Sequence, residues 1–343
     1  MIGFRLLSIN KVQASASPQV LRAALANTGD PNNGFYKYDD ASNSFKREGN
    51  MSGSAAGADV CVSPDSNYLC LATGAAPYIT LYKRSGTAWA PIASPATLPT
   101  GAVTSCAFSR DGKYLAVGHY GAPFLTVYKR TGDTFAKIPD LATALSNRVT
   151  NCHFSPVSDH LAIVGLFAPY GGVVGVADAG LQPMQSPSPI PWYYSYGVRF
   201  SPKGDLVAVG SQTSPYYFIY KFDIVTGTFG ARLTTGEVGV ANPRAIVFGP
   251  NSDFFYMCGT TDPFFCGFKL TADAVGAKLA VPTFLTSYGI DMDITADGKY
   301  IGVAHYGSPF LTFLEKNGDT LTPLPPVDIP GSNNAAGIQF YRT

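Results

Sequence analysis

Short runs of alternating apolar and polar residues recur along the chain around a small turn. The turn reads SPDS at Ser63, SRDG at Ser109, SPVS at Ser155 and SPKG at Ser201, with weaker copies starting at Ser17, Gly249 and Thr295. Successive anchors lie 46, 46, 46, 46, 48 and 46 residues apart, the length of one four-stranded propeller blade. Seven anchors predict seven blades.

The columns of this register behave as strand positions. Three residues and one residue before the anchors stand Val60 and Val62, Cys106 and Phe108, Cys152 and Phe154, Val198 and Phe200, Ile246 and Phe248, Met292 and Ile294. Six and eight residues after them come pairs such as Leu69 and Leu71 or Leu115 and Val117. Such period-two spacing defines half-buried strands, and the first set is the innermost. Each unit then reads as strand a (VTSCAFS), a tight turn, strand b (YLAVGH), a loop with proline fourteen residues after the anchor, strand c (FLTVYKR), a glycine turn and a short outer strand d (FAKI). The glycine, serine and aspartate positions are where reversals need them. Lys37, Lys83, Lys129, Lys221 and Lys269 share one column of strand c and are placed on the rim.

Seven turns leave eight candidates for strand a, because Ile338 and Phe340 fall on the column after the seventh unit. The amino-terminal candidate offers only Ala14 and Ala16, whereas a buried Ile or Phe contributes about 1.5 to 3 kcal/mol. Residues 337–341 are therefore predicted to complete a blade whose other strands come from 20–47. The expected fold is an all-β, seven-bladed β-propeller of four-stranded antiparallel blades, closed by the C-terminal strand pairing with the N-terminal blade. Residues 17–343 form the propeller, and residues 1–16 are left as an N-terminal arm.

Composition agrees with many short strands. Aromatic residues make up 13% of the 343 positions, and 36 Gly plus 26 Pro supply the turns. A net charge of +1 provides no field for nucleic acid, so no nucleic-acid partner is expected. Apolar runs fall short of a membrane span, and no membrane insertion is expected. MIGFRLLSINKVQASA has an apparent Ala14-Ser15-Ala16 cleavage site, but Ser8, Asn10 and Lys11 interrupt its apolar run; it is read as no signal peptide. The six cysteines show no CxxC pair, and most are read as buried free thiols, with Cys106 and Cys152 as small hydrophobes of the core.

APYITLYKRSGTAW at 76–89, APFLTVYKRTGDTF at 122–135 and SPFLTFLEKNGDTL at 308–321 resemble the WD-repeat-like, YVTN-type β-propeller modules of tailed-bacteriophage virion and tail-fibre proteins. The resemblance covers nearly the whole chain. It departs from eukaryotic WD repeats, since Tyr-Lys stands where they carry Trp-Asp. It also departs from trimeric fibres, since no heptad or collagen-like stem is present. The resemblance implies a non-enzymatic virion structural protein of tail, baseplate, fibre or capsid, made in the host cytoplasm and located in the virion. Its implied partners are other virion proteins and a host-surface glycan or protein. Phe4, Leu6 and Leu7, outside the blade pattern, are the docking candidates.

Two alternatives stand beside that reading: an intracellular WD-repeat-like interaction scaffold and, ranked last, a metal-dependent propeller hydrolase or lactonase. The enzyme reading is set aside because the equivalent loop-face positions offer Asp30 and Asp262 but are otherwise Ala or Ser, and no HExxH, GxSxG or Cys/His constellation occurs. No cofactor and no metal site is expected. Ligand binding is assigned instead to the face carrying the variable d–a loops, because loops on a rigid scaffold are where binding resides. The candidates are Trp192, Tyr193, Tyr194 and Tyr196, whose aromatic bodies and polar tips suit sugars or a protein hot spot. The HYG pairs His119 with Tyr120 and His305 with Tyr306 join them. Phe124, Tyr170, Tyr216, Phe264 and Phe310 are read as blade packing.

Overall fold

The computed structural model describes residues 19–28, 33–52, 55–166, 168, 170–187, 193–235, 239–327, 329 and 334–343. Its strands form seven four-stranded antiparallel sheets, the blades of a β-propeller. No helix of the described residues is long and apolar enough to cross a membrane. Blades are numbered from the one that the two ends of the chain build together. Its inner strand is Ala335–Arg342, followed outward by Leu21–Asn27, Gly34–Asp39 and Ser44–Asn50. The inner strands of blades 2 to 7 are Gly57–Val62, Val103–Phe108, Val149–Phe154, Ser195–Phe200, Pro243–Phe248 and Gly289–Ile294.

Ring closure follows the expected register: Leu25 faces Ile338 and Ala23 faces Phe340. Ile338 is 3% exposed and packs with Leu25 of its own blade and with Ala304 and Phe313 of blade 7. The sheet edge of Leu21–Asn27 is thereby covered rather than left open for pairing with another chain.

The recurring anchor serine has a specific role in its turn. Ser109 Oγ donates to Asp111 Oδ1 (2.7 Å) and accepts the Tyr114 N–H (2.9 Å), while the Lys113 N–H reaches the same carboxylate. Ser63 and Thr295 repeat the arrangement with Asp65 and Asp297. Polar groups that the reversal would otherwise bury unpaired are satisfied locally.

On the rim, Lys83, Lys129, Lys221 and Lys269 each reach an aspartate of the following blade: Asp133, Asp178, Asp273 and Asp319, at 2.8, 2.8, 2.5 and 2.6 Å. These exposed pairs fix orientation more than they stabilise. Blade-to-blade cohesion comes from apolar clusters in every interface, such as Val60, Val62, Leu69 and Leu71 against Ala24, Ala26 and Phe35. All six cysteines are buried and free.

Candidate functional site in the central channel

Alternation on the inner strand divides its residues between two environments. The positions three and one before the anchor pack against the preceding blade. Those four and two before it face the axis and the following blade. Read around the ring, the axial positions include Asp59, Ser105, Asn151 and Asp291 in one tier, and Cys61, His153, Arg199, Asp293 and Gln339 in the other. All nine line one cavity of about 100 Å³ on the axis. It shares Phe108, Asp293 and Gln339 with a wider vestibule of about 690 Å³. The vestibule is bordered by the anchor turns, through Ser63, Pro64, Asp65, Thr295 and Ala296.

The axial side chains are tied together by a belt of hydrogen bonds that crosses from blade to blade. Asp59 Oδ2 accepts the Cys106 N–H (2.8 Å), Ser105 Oγ the Cys152 N–H (3.2 Å) and His153 Nδ1 the Phe200 N–H (3.2 Å). Asp291 Oδ2 accepts the Ile338 N–H (2.9 Å) and Asp293 Oδ2 the Phe340 N–H (2.8 Å). Gln339 Oε1 accepts the Val62 N–H (2.6 Å), carrying the belt across the closure. Arg199 Nη2 donates to Asp293 Oδ1 at 2.6 Å.

These surroundings separate the protonation states. Burial, reinforced by the charge of Asp291, pushes Asp59 well above the usual carboxylate range. Burial raises Asp291 to about 6, against the lowering effect of the Ile338 N–H and Arg199. Asp293 is raised by burial and partly offset by the Arg199 guanidinium. Burial, with Arg199 close by, holds His153 well below its ordinary value, so the ring is neutral. Because Nδ1 accepts a backbone N–H, the ring proton sits on Nε2. Two carboxylates pushed to different values at one site, beside a guanidinium, are the kind of grouping that acid–base chemistry uses.

The residues singled out in the sequence lie elsewhere. His119 and His305 are the last residues of their strands and are 0% and 1% exposed, each with Nε2 3.0 Å from a threonine hydroxyl, Thr126 or Thr312. Both are buried at the end of strand b, which finishes on the histidine as the YLAVGH pattern predicts. Tyr120 is 51% exposed, under the Arg148 guanidinium, and Tyr306 is half-buried near Tyr288. Tyr193 and Tyr194 form a small aromatic group with Tyr170, with ring centroids 4.4 to 5.9 Å apart, and Tyr196 lies under Arg244. None of these borders the channel cavity. Trp192, Phe4, Leu6, Leu7 and Asp30 fall outside the described residues. The d–a loop face does carry a cleft of about 440 Å³, lined by Leu141, Leu145, Pro183 and Met184 among others, but the polar chamber opens toward the opposite, anchor-turn face.

Comparison with known proteins fixes the fold class. The WD domain, G-beta repeat model matches residues 94–121, a single repeat unit. No curated protein sequence matches the chain. Among solved structures, a protein from Lactobacillus plantarum is similar at TM-score 0.74 and 16% identity, over 94% of this chain and 99% of that one. The periplasmic gluconolactonase PpgL of Pseudomonas aeruginosa is similar at TM-score 0.74 and 16% identity, over 94% and 98%. A putative 6-phosphogluconolactonase from Bacteroides fragilis is similar at TM-score 0.73 and 11% identity, over 95% and 99%. At these identities the likeness establishes a WD-repeat-like seven-bladed propeller.

The expectation of a non-enzymatic virion protein is corrected by these findings. Two of the similar propellers are named a periplasmic gluconolactonase and a putative 6-phosphogluconolactonase. The channel also gathers Asp59, Asp291, Asp293, His153 and Arg199, which no linear motif brings together.

Proposed function

We propose that the protein is a hydrolase of the lactonase type, acting on a cyclic ester of a sugar acid at the channel chamber. The observation that carries this reading is the axial set of Asp59, Asp291, Arg199 and His153 around one cavity, with Asp59 raised further than Asp291. The lactonase names of two similar propellers support the same class.

The chemistry follows from the protonation states. Opening a lactone needs a base for water, stabilisation of the oxyanion, and a proton for the departing ring oxygen. Asp291, ionised above about pH 6, takes the proton from water. The Arg199 guanidinium and the neutral His153 Nε2–H stabilise the carbonyl oxygen as it gains charge. Asp59, raised well above the usual carboxylate range, supplies the proton to the leaving oxygen. The chamber takes the reacting ester, and the vestibule takes the hydroxylated remainder of the substrate.

Hydrolysis of D-glucono-δ-lactone and of its 6-phospho derivative, measured against the spontaneous rate, tests the proposal. Acceleration of either that falls about 100-fold or more in Asp291→Asn, with an unchanged melting temperature, is the expected result. A wild-type rate equal to the spontaneous rate for both compounds would remove the reading.

A further inference from the structure

Three thiols meet at the edge of the channel, between blades 2 and 3. Cys61, on the inner strand of blade 2, is the direct register partner of Cys70 on the adjacent strand Tyr68–Thr73, so both side chains leave the same face of that blade. Cys106, on the inner strand of blade 3, belongs to a column that points back at blade 2. The result is a buried group whose three Sγ atoms all lie within 4.8 Å of one another. Among the described residues no other group of three or more Cys, His, Asp or Glu is gathered in this way.

We propose that Cys61, Cys70 and Cys106 form a binding site for one soft, thiophilic metal ion of the Cu(I) class, held in three-coordinate thiolate ligation. The separation fits. Three sulfurs about 2.3 Å from a central ion stand about 4 Å apart, so the observed triangle closes on an ion with small side-chain movements. The ligand set is sulfur alone, which selects soft ions over magnesium, calcium or manganese. Asp59, the adjacent carboxylate, is already engaged by the N–H groups of Val60 and Cys106. The three thiols thus lack the fourth ligand that a structural zinc site requires.

The cluster is also not a by-product of the repeat. In the column of Cys70 the other blades carry Ala24, Ala116, Ala162, Ala208, Tyr256 and Gly302. A sulfur opposite Cys61 is peculiar to blade 2. On binding, the protons the thiols hold pass to solvent as metal–sulfur bonds form, and no electron is transferred. An entry path exists, because Cys61 and Cys106 both line the channel cavity.

The inference is independent of the lactonase reading, and its test does not use hydrolysis. Reduced full-length protein, kept anaerobic, is titrated with Cu(I) supplied as its bicinchoninate complex. One Cu(I) per chain should be withdrawn from the chelator, with X-ray absorption showing a shell of three sulfurs. Cys70→Ser should weaken binding by more than the roughly 10- to 100-fold that losing a supporting partner costs. Cys266→Ser in blade 6 should not. If Cys70→Ser does not fold, the sulfur shell of the wild-type protein decides. No copper taken from the chelator, a nitrogen or oxygen shell, or equal affinity in Cys70→Ser overturns the proposal.

Discussion

Arg199 reaches Asp293 at 2.6 Å although their strands belong to blades 5 and 7, so the contact spans the channel past the blade between them. The aspartate side chain is 10% exposed and the arginine 27%. Removing one partner of a buried pair leaves the other uncompensated and costs about 3 kcal/mol. Arg199→Met should therefore lower stability in a denaturant titration by about that much. Asp293→Asn in the same chain should restore part of it. Equal stability of wild type and the single variant would show that the pair has no structural weight.

The base assigned to lactone opening carries its own signature. Asp291 must be ionised to accept a proton, and its carboxyl is raised to about 6. kcat/KM should climb as pH rises through about 6 and level off above it, and Asp291→Glu should shift that limb while Asp291→Asn abolishes it. A profile flat between pH 5 and 8 would assign the proton transfer to another group.

Closure of the ring rests on a few side chains. Ile338 is buried against Leu25 and Phe313, and truncation of a buried Ile to Ala costs about 2 to 5 kcal/mol. Ile338→Ala should lower the unfolding midpoint by that energy. Removal of residues 335–343 should give an aggregating or unfolded product, because the edge of Leu21–Asn27 would be open. A soluble truncation that melts like the full chain would contradict the closure.

Acid should weaken the fold through its histidines. Burial lowers His119 and His305 to about 4 each. Between about 6.5 and 4 the unfolded chain takes up protons that the folded chain refuses, so stability is full above 6.5 and falls with pH across that window. Each imidazole contributes up to about 3 kcal/mol. The raised Asp291 acts in the opposite direction, with its contribution present below about 4 and lost as pH rises through about 6. His119→Gln should flatten the acid limb of the stability profile, and Asp291→Asn should steepen it. An unchanged limb in His119→Gln would mean that the ring is protonated in the folded state.

Sequence and structure part company in one instructive way. The anchor turns, the core columns and the closing strand recur with little change, and repetition made them legible. The axial columns of the same strands vary from Asp59 to Ser105 to Asn151, and from His153 to Arg199 to Asp293, so no motif draws attention to them. Alternation alone could have found them, since residues between two core positions of an innermost strand have only the axis to face. The chemistry arises when unlike blades present unlike groups to a shared point. Cys61, Cys70 and Cys106 were hidden for the same reason: linear spacing does not reveal a cross-strand pair meeting a third residue from the next blade.

The belt around the axis has a consequence for how such a site can change. Asp59, Asp291, Asp293 and His153 each accept a main-chain N–H of a following blade, so the atoms assigned to turnover also act as joints of the ring. A substitution that retunes reactivity also loosens a joint. Variants of altered specificity should therefore be sought first at vestibule residues outside the belt and the anchor hydrogen bonds, such as Pro64, Pro156 and Ala296.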